Sequence, residues 1–112
     1  MTNTISRYDF ESAIENVAHT IYENYSGRGM FGSTCFGVVV EGPLAAGSIK
    51  SELHHEAERV REEVADMDEV DDEWADGQEK LADDLERLAE SISHDNLGHD
   101  VIVYFPGWEF ED

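Results

Sequence analysis

The residues best equipped to do chemistry gather in Tyr25–Val40, where a glycine-rich segment runs into an apolar strand. Arg28 stands between Gly27 and Gly29 and is followed by Met30, Phe31 and Gly32. Glycine lets the backbone approach another surface closely, and a guanidinium suits two-point contact with a carboxylate or phosphate. Met30 and Phe31 add an apolar anchor beside it. Arg28, Gly29, Met30 and Phe31 are therefore the candidate binding residues. A purely architectural reading stands beside this one: a hairpin-like turn into the strand, with Arg28 paired to acidic helices and Phe31 in the core.

Two further groupings carry chemical suggestions. Val38 to Lys50 reads as a strand, a loop with Gly42 and Gly47 five apart, and a helix, which is the outline of a phosphate-binding loop. Ser48 occupies the place of the phosphate lysine, and Lys50 falls beyond the hydroxyl position, so no nucleotide and no role for Lys50 are expected. His54 and His55 are adjacent on a helix and diverge by about 100°, which keeps them off one ion. His94, Asp95 and His99 form the only conceivable mixed metal site, but their spacing matches no closed zinc pattern, and solvated loop residues are the favoured reading. His19 lies at the border of a helical stripe and defines no coordination geometry by itself. No cofactor or metal is expected, and no catalytic residue is assigned, because paired carboxylates are too abundant here to single out an acid and a base. Cys35 is the only cysteine, which excludes an internal disulfide, and its β-rich surroundings suggest a buried structural thiol.

These residues must be positioned by regular elements that the apolar periodicity outlines. Phe10, Ala13, Ile14, Val17, Ala18, Ile21, Tyr22 and Tyr25 form one stripe, predicting a first helix over 7–25 that Ser6 and Asp9 cap and Gly27 closes. Cys35 to Glu41 is rich in β-branched residues and predicts a strand ending at Gly42-Pro43. A small-residue loop then leads to Ser48, the expected cap of a second helix whose apolar positions run from Ile49 to Met67. An acidic turn around Asp68–Asp72 caps a third helix with a seam of Trp74, Gln78, Leu81, Leu85, Leu88 and Ile92. Pairs at i,i+4 are expected between Asp76 and Lys80 and between Asp83 and Arg87. Residues 93–100 read as the run-out of this helix and a loop. Val101 to Phe105 is the second clear strand, and Trp108 to Phe110 could pair back on it past Pro106-Gly107, a dipeptide that fits tight hairpins poorly. The prediction is an α+β single domain over 1–112 in the order α-β-α-α-β. Its small antiparallel sheet of two or three strands is packed by an N-terminal helix and a central helical hairpin.

Composition limits the partners. The chain carries 27 acidic against 7 basic residues, a formal net charge of −20, which opposes direct nucleic-acid binding. Acids are spread over nearly every segment, as in proteins of salt-loving archaea, where roughly molar salt shortens the Debye length to about 3 Å and screens self-repulsion. A DNA mimic that occupies a nucleic-acid-binding protein is the competing account of the same charge. No segment reads as a membrane span or leader, so a cytoplasmic protein without membrane association is expected. A small sheet with an open edge favours a homodimer.

The string Tyr25–Gly32, preceded by an expected amphipathic helix and followed by Cys35–Val38, resembles one found in short uncharacterised proteins of phages and archaeal mobile elements. The resemblance implies a viral or plasmid context and no activity. The functional expectation is a small acidic, non-enzymatic interaction or regulatory module with an unidentified protein partner. Aromatic contacts are available at Phe31, Trp74, Trp108 and Phe110. The alternative is a small-ligand or metal-binding protein or enzyme with its site in a dimer cleft.

Overall fold

The computed structural model describes residues 3–17, 20–26, 32–67, 69 and 71–111. Along them run β1 (Asn3–Ser6), α1 (Arg7–Ala13), β2 (Thr20–Tyr25), β3 (Cys35–Glu41), α2 (Gly42–Asp66), α3 (Asp72–Glu90), β4 (Ser93–Leu97), β5 (Asp100–Tyr104) and β6 (Trp108–Glu111). The fold is α+β. A four-stranded antiparallel sheet has the order β2-β3-β5-β4, and β1 and β6 form a separate two-stranded parallel pair. No helix among the described residues is long and apolar enough to cross a membrane.

The expected antiparallel pairing of the two apolar strands holds, with Val38 opposite Val103 and Val40 opposite Val101. Alternation along each strand puts these valines, with Phe36, on the face covered by the α2–α3 hairpin. There they join Ile49, Leu53, Leu85 and Leu88 in one core. Cys35, Ile102 and Tyr104 pack on the outer face with Tyr25 and Val39. Burial pushes the Cys35 thiol pKa up, as befits a structural cysteine. Gly37 sits in mid-strand because a Cβ there would lie 3.2 Å from the Val103 carbonyl oxygen and 3.3 Å from both Ile102 Cδ1 and Tyr104 Cβ. Phe10, Phe36 and Phe105 form an aromatic knot, with Phe10–Phe36 centroids 4.8 Å apart, and Phe110 stacks on Phe36 at 4.1 Å.

The first helix is shorter than its stripe predicts. α1 ends at Ala13, a turn carries Ile14 and Val17 into the core, and Thr20–Tyr25 is a strand. Ile21, Tyr22 and Tyr25 satisfy either a helical or a strand pattern. Pairing with β3 decides the matter, since it satisfies backbone groups along an edge that a helix would leave open. The helix that Gly27 was expected to close has therefore already ended, and Gly27 itself lies outside the described residues.

The sheet also has more strands than expected. Ser93–Leu97, too polar to show an apolar alternation, pairs with β5 through a two-residue connection in which Gly98 has φ 77°. Its register follows from that turn and from the apolar partner strand, so its own side chains need not be buried. Trp108–Glu111 does form a strand, but it leaves β5 and pairs with β1 instead. Pro106-Gly107 explains the departure. Gly107 has φ 85°, and the Trp108 N–H donates to the Phe105 carbonyl at 3.1 Å, a type II turn that redirects the chain. Trp108 is consequently buried at 1% exposure and is no contact residue, while the Arg87 guanidinium lies over its ring, 5.5 Å from the centroid.

α2 begins directly at Gly42, with Pro43 in its first turn, where the missing N–H costs nothing. Ala45, Ala46 and Gly47 are helical, and Ser48 caps nothing: its hydroxyl donates back to the Leu44 carbonyl at 3.2 Å. The phosphate-loop outline is thus absent as a loop. The acidic cap of α3 is present, Asp71 accepting from the Glu73 N–H at 2.9 Å. The expected i,i+4 pairs are replaced by others. Lys80 pairs with Asp84 at 2.9 Å, Arg87 reaches Asp84 at 3.5 Å, and Asp83 accepts from Arg61 of α2 at 2.7 Å, alongside a Glu86–Arg61 pair.

Candidate functional site

Four residues of α2 flank the buried stripe on the side of β4 and β5: Pro43, Ala46, Gly47 and Lys50. Their i, i+3, i+4, i+7 spacing makes one stripe, rotated roughly 75° from the buried Ile49–Leu53–Ala57–Val60 stripe at ~100° per residue. Across from them lie β5 and the edge strand β4. His94 is paired with Val103 and Asn96 with Val101, so these polar side chains share the inner face with the two valines. Ala46 and Gly47 are too small to span the gap, and no atom lies within 4 Å of a Cβ built on Gly47. The result is a cleft of about 340 Å³ lined by Pro43, Ala46, Gly47, Lys50, Ile92, His94, Asn96, Val101 and Val103. Its walls are aliphatic, and its polar groups are one ammonium, one imidazole and one amide.

Lys50 distinguishes this cleft from the others. Among the described residues, Arg7, Arg59, Arg61, Lys80 and Arg87 all lie within 4.0 Å of a carboxylate, and no such pair involves Lys50. The helix explains why: the positions three and four away hold Ala46, Gly47, Leu53 and His54, none acidic. Other described hollows hold cations that are already paired, Arg61 between α2 and α3 and Arg7 beside β6. An exposed lysine without an acidic neighbour is notable in a chain of 27 acids.

The structure scatters the earlier candidates. Arg28, Gly29, Met30 and Phe31 lie outside the described residues. The strands on either side of them, β2 and β3, pair antiparallel, and Gly32 has φ 88°. His19 also lies outside them. His94 and Asp95 are consecutive on β4 and point to opposite faces, while His99 is exposed in the β4–β5 turn. Among the described residues, no three His, Cys, Asp or Glu side chains are grouped closely enough to hold a metal ion. His94 belongs instead to the cleft. Asp95 faces outward and accepts a hydrogen bond from the Tyr25 hydroxyl at 2.7 Å. This bond and partial burial push the Tyr25 pKa up to about 12. Trp74 is partly exposed on α3, remote in sequence from both sites.

Sequence reading set Lys50 aside because the surrounding residues resembled a failed phosphate loop. The available signal was the run of small residues at Ala45–Gly47, read as helix, together with a lysine lacking acids at its helical neighbours. Comparison with protein-family models, with curated proteins and with solved structures finds no significant match.

Proposed function

We propose that this protein is a small, non-enzymatic binding module of a salt-rich cytoplasm, and that the cleft between α2 and the β4–β5 hairpin is its binding surface. The observation that carries the reading is Lys50, in no ion pair among the described residues and lining a largely aliphatic hollow. Ligand sites combine such apolar walls with a few polar groups that fix orientation. The regulatory role follows from the same picture: occupancy would report a small molecule to a protein partner.

Two further proposals rest on other features. Edge strands β2 and β4 each pair on one side only among the described residues, which supports a homodimer. The net charge of −20 supports the halophilic setting, and the Tyr25–Gly32 resemblance supports a viral or plasmid origin.

A fragment screen by thermal shift in molar KCl tests the binding surface. Fragments that raise the melting temperature of the wild type and leave Gly47→Leu unmoved support the cleft. Fragments that stabilise both proteins equally exclude it.

A further inference from the structure

The cleft constrains what enters it. At about 340 Å³ it lies at the small end of ligand pockets. That size suits a short chain or a single ring with one small head group. The apolar lining that reaches the surface, Pro43, Ala46 and Ile92, offers no hydrogen bonds from side chains, so the body of the ligand is apolar. The rim is the opposite. Lys50 donates and cannot accept, Asn96 contributes two amide N–H donors, and the His94 ring contributes at least one more. Among the described residues no carboxylate lines the cleft. A cationic head would meet an ammonium without compensation, and a neutral one would leave that ammonium without a counter-charge.

We infer that the cleft is a site for a small amphipathic carboxylate, its apolar body on Pro43, Ala46 and Ile92 and its head at Lys50 and Asn96. The inference rests on the reading of the cleft as the binding surface. It assigns to Lys50 the head-group contact, a charge-assisted hydrogen bond that persists in high salt because its length is comparable to the screening distance of about 3 Å at 1 M. It assigns to Gly47 the opening itself, because any larger side chain there would occupy the ligand's volume.

Isothermal titration calorimetry in molar KCl with octanoate, octanol and octylammonium tests both parts. Octanoate is expected to bind once per chain and more tightly than the other two. Lys50→Met should weaken it about tenfold, the typical worth of one hydrogen bond to a charged group. Gly47→Leu should abolish binding while folding normally, since a Cβ at that position meets no atom within 4 Å and leucine favours a helix over glycine. If octanol or octylammonium binds as tightly as octanoate and Gly47→Leu still removes it, the cleft is the binding surface and the carboxylate assignment is wrong. If none of the three binds, or if Gly47→Leu leaves octanoate binding intact, the cleft reading falls with it.

Discussion

The Tyr25 hydroxyl donates to Asp95 Oδ2 at 2.7 Å, although the two residues are 70 positions apart and belong to the two opposite edge strands, β2 and β4. The Tyr25 ring lies against Tyr104, with centroids 5.1 Å apart, so its side chain ties the edges together over the outer face of the sheet. The opposite face of β4 borders the cleft, and the same strand therefore serves architecture through Asp95 and the proposed site through His94 and Asn96.

This bond predicts a pH dependence. The Tyr25 pKa is raised from 10.0 to about 12, first by the hydrogen bond to Asp95 and then by burial. A raised pKa means that the folded state holds the proton more tightly than the unfolded chain. The stabilisation is complete below pH 10 and is lost as pH rises through 12. Phenolate absorbance should show a late-titrating component that shrinks by one tyrosine in Tyr25→Phe and moves back towards 10 in Asp95→Asn. Tyr25→Phe should cost about 1 kcal/mol at neutral pH, measured by chemical unfolding.

Gly37 predicts a packing penalty. A methyl group there would press on the Val103 carbonyl and on Ile102 and Tyr104, and backbone cannot yield as a surface side chain does. Gly37→Ala should destabilise the protein by about 1–3 kcal/mol, the usual cost of overpacking. Alanine at Gly77, where no atom lies within 4 Å of a built Cβ, should be neutral or stabilising by up to ~1 kcal/mol. Urea denaturation of both variants distinguishes a tight site from an open one.

The charge balance predicts a salt dependence. With 27 acids against 7 bases, most carboxylates have no cation to pair with, and their repulsion is relieved mainly by screening. The melting temperature should rise by roughly 10 °C between dilute buffer and molar KCl, equivalent to about 2 kcal/mol for a domain of this size. A protein equally stable in both would not belong to a salt-rich cytoplasm, and a DNA mimic would become the better account of its surface.

How much of this was legible in the sequence differs by element for physical reasons. The cores of α2 and α3 show their faces openly: Leu85, Leu88, Ala82 and Ala89 recur at helical spacing and are all buried. β3 and β5 are legible for the same reason, since buried central strands are runs of β-branched residues. β4 is not, because an edge strand of Ser, His, Asp and Asn takes its register from its neighbour. β2 is not, because Ile21, Tyr22 and Tyr25 fit two periods and only the partner strand selects one. The cleft depends on β4 and on a helix start at Gly42 that glycine and proline disguise as a loop. Its key residue is conspicuous only once Lys50 is seen lining the same cleft as β4, in no ion pair among the described residues.

Amide chemical-shift mapping of the ¹⁵N-labelled protein in molar KCl, titrated with octanoate, tests the central claim most directly. The account predicts that the largest shifts fall on Ala46, Gly47, Lys50, His94, Asn96, Val101 and Val103, with little change in the β2–β3 connection. Shifts concentrated instead on Arg28–Phe31, or none at all, would contradict it and return the search to that glycine-rich segment.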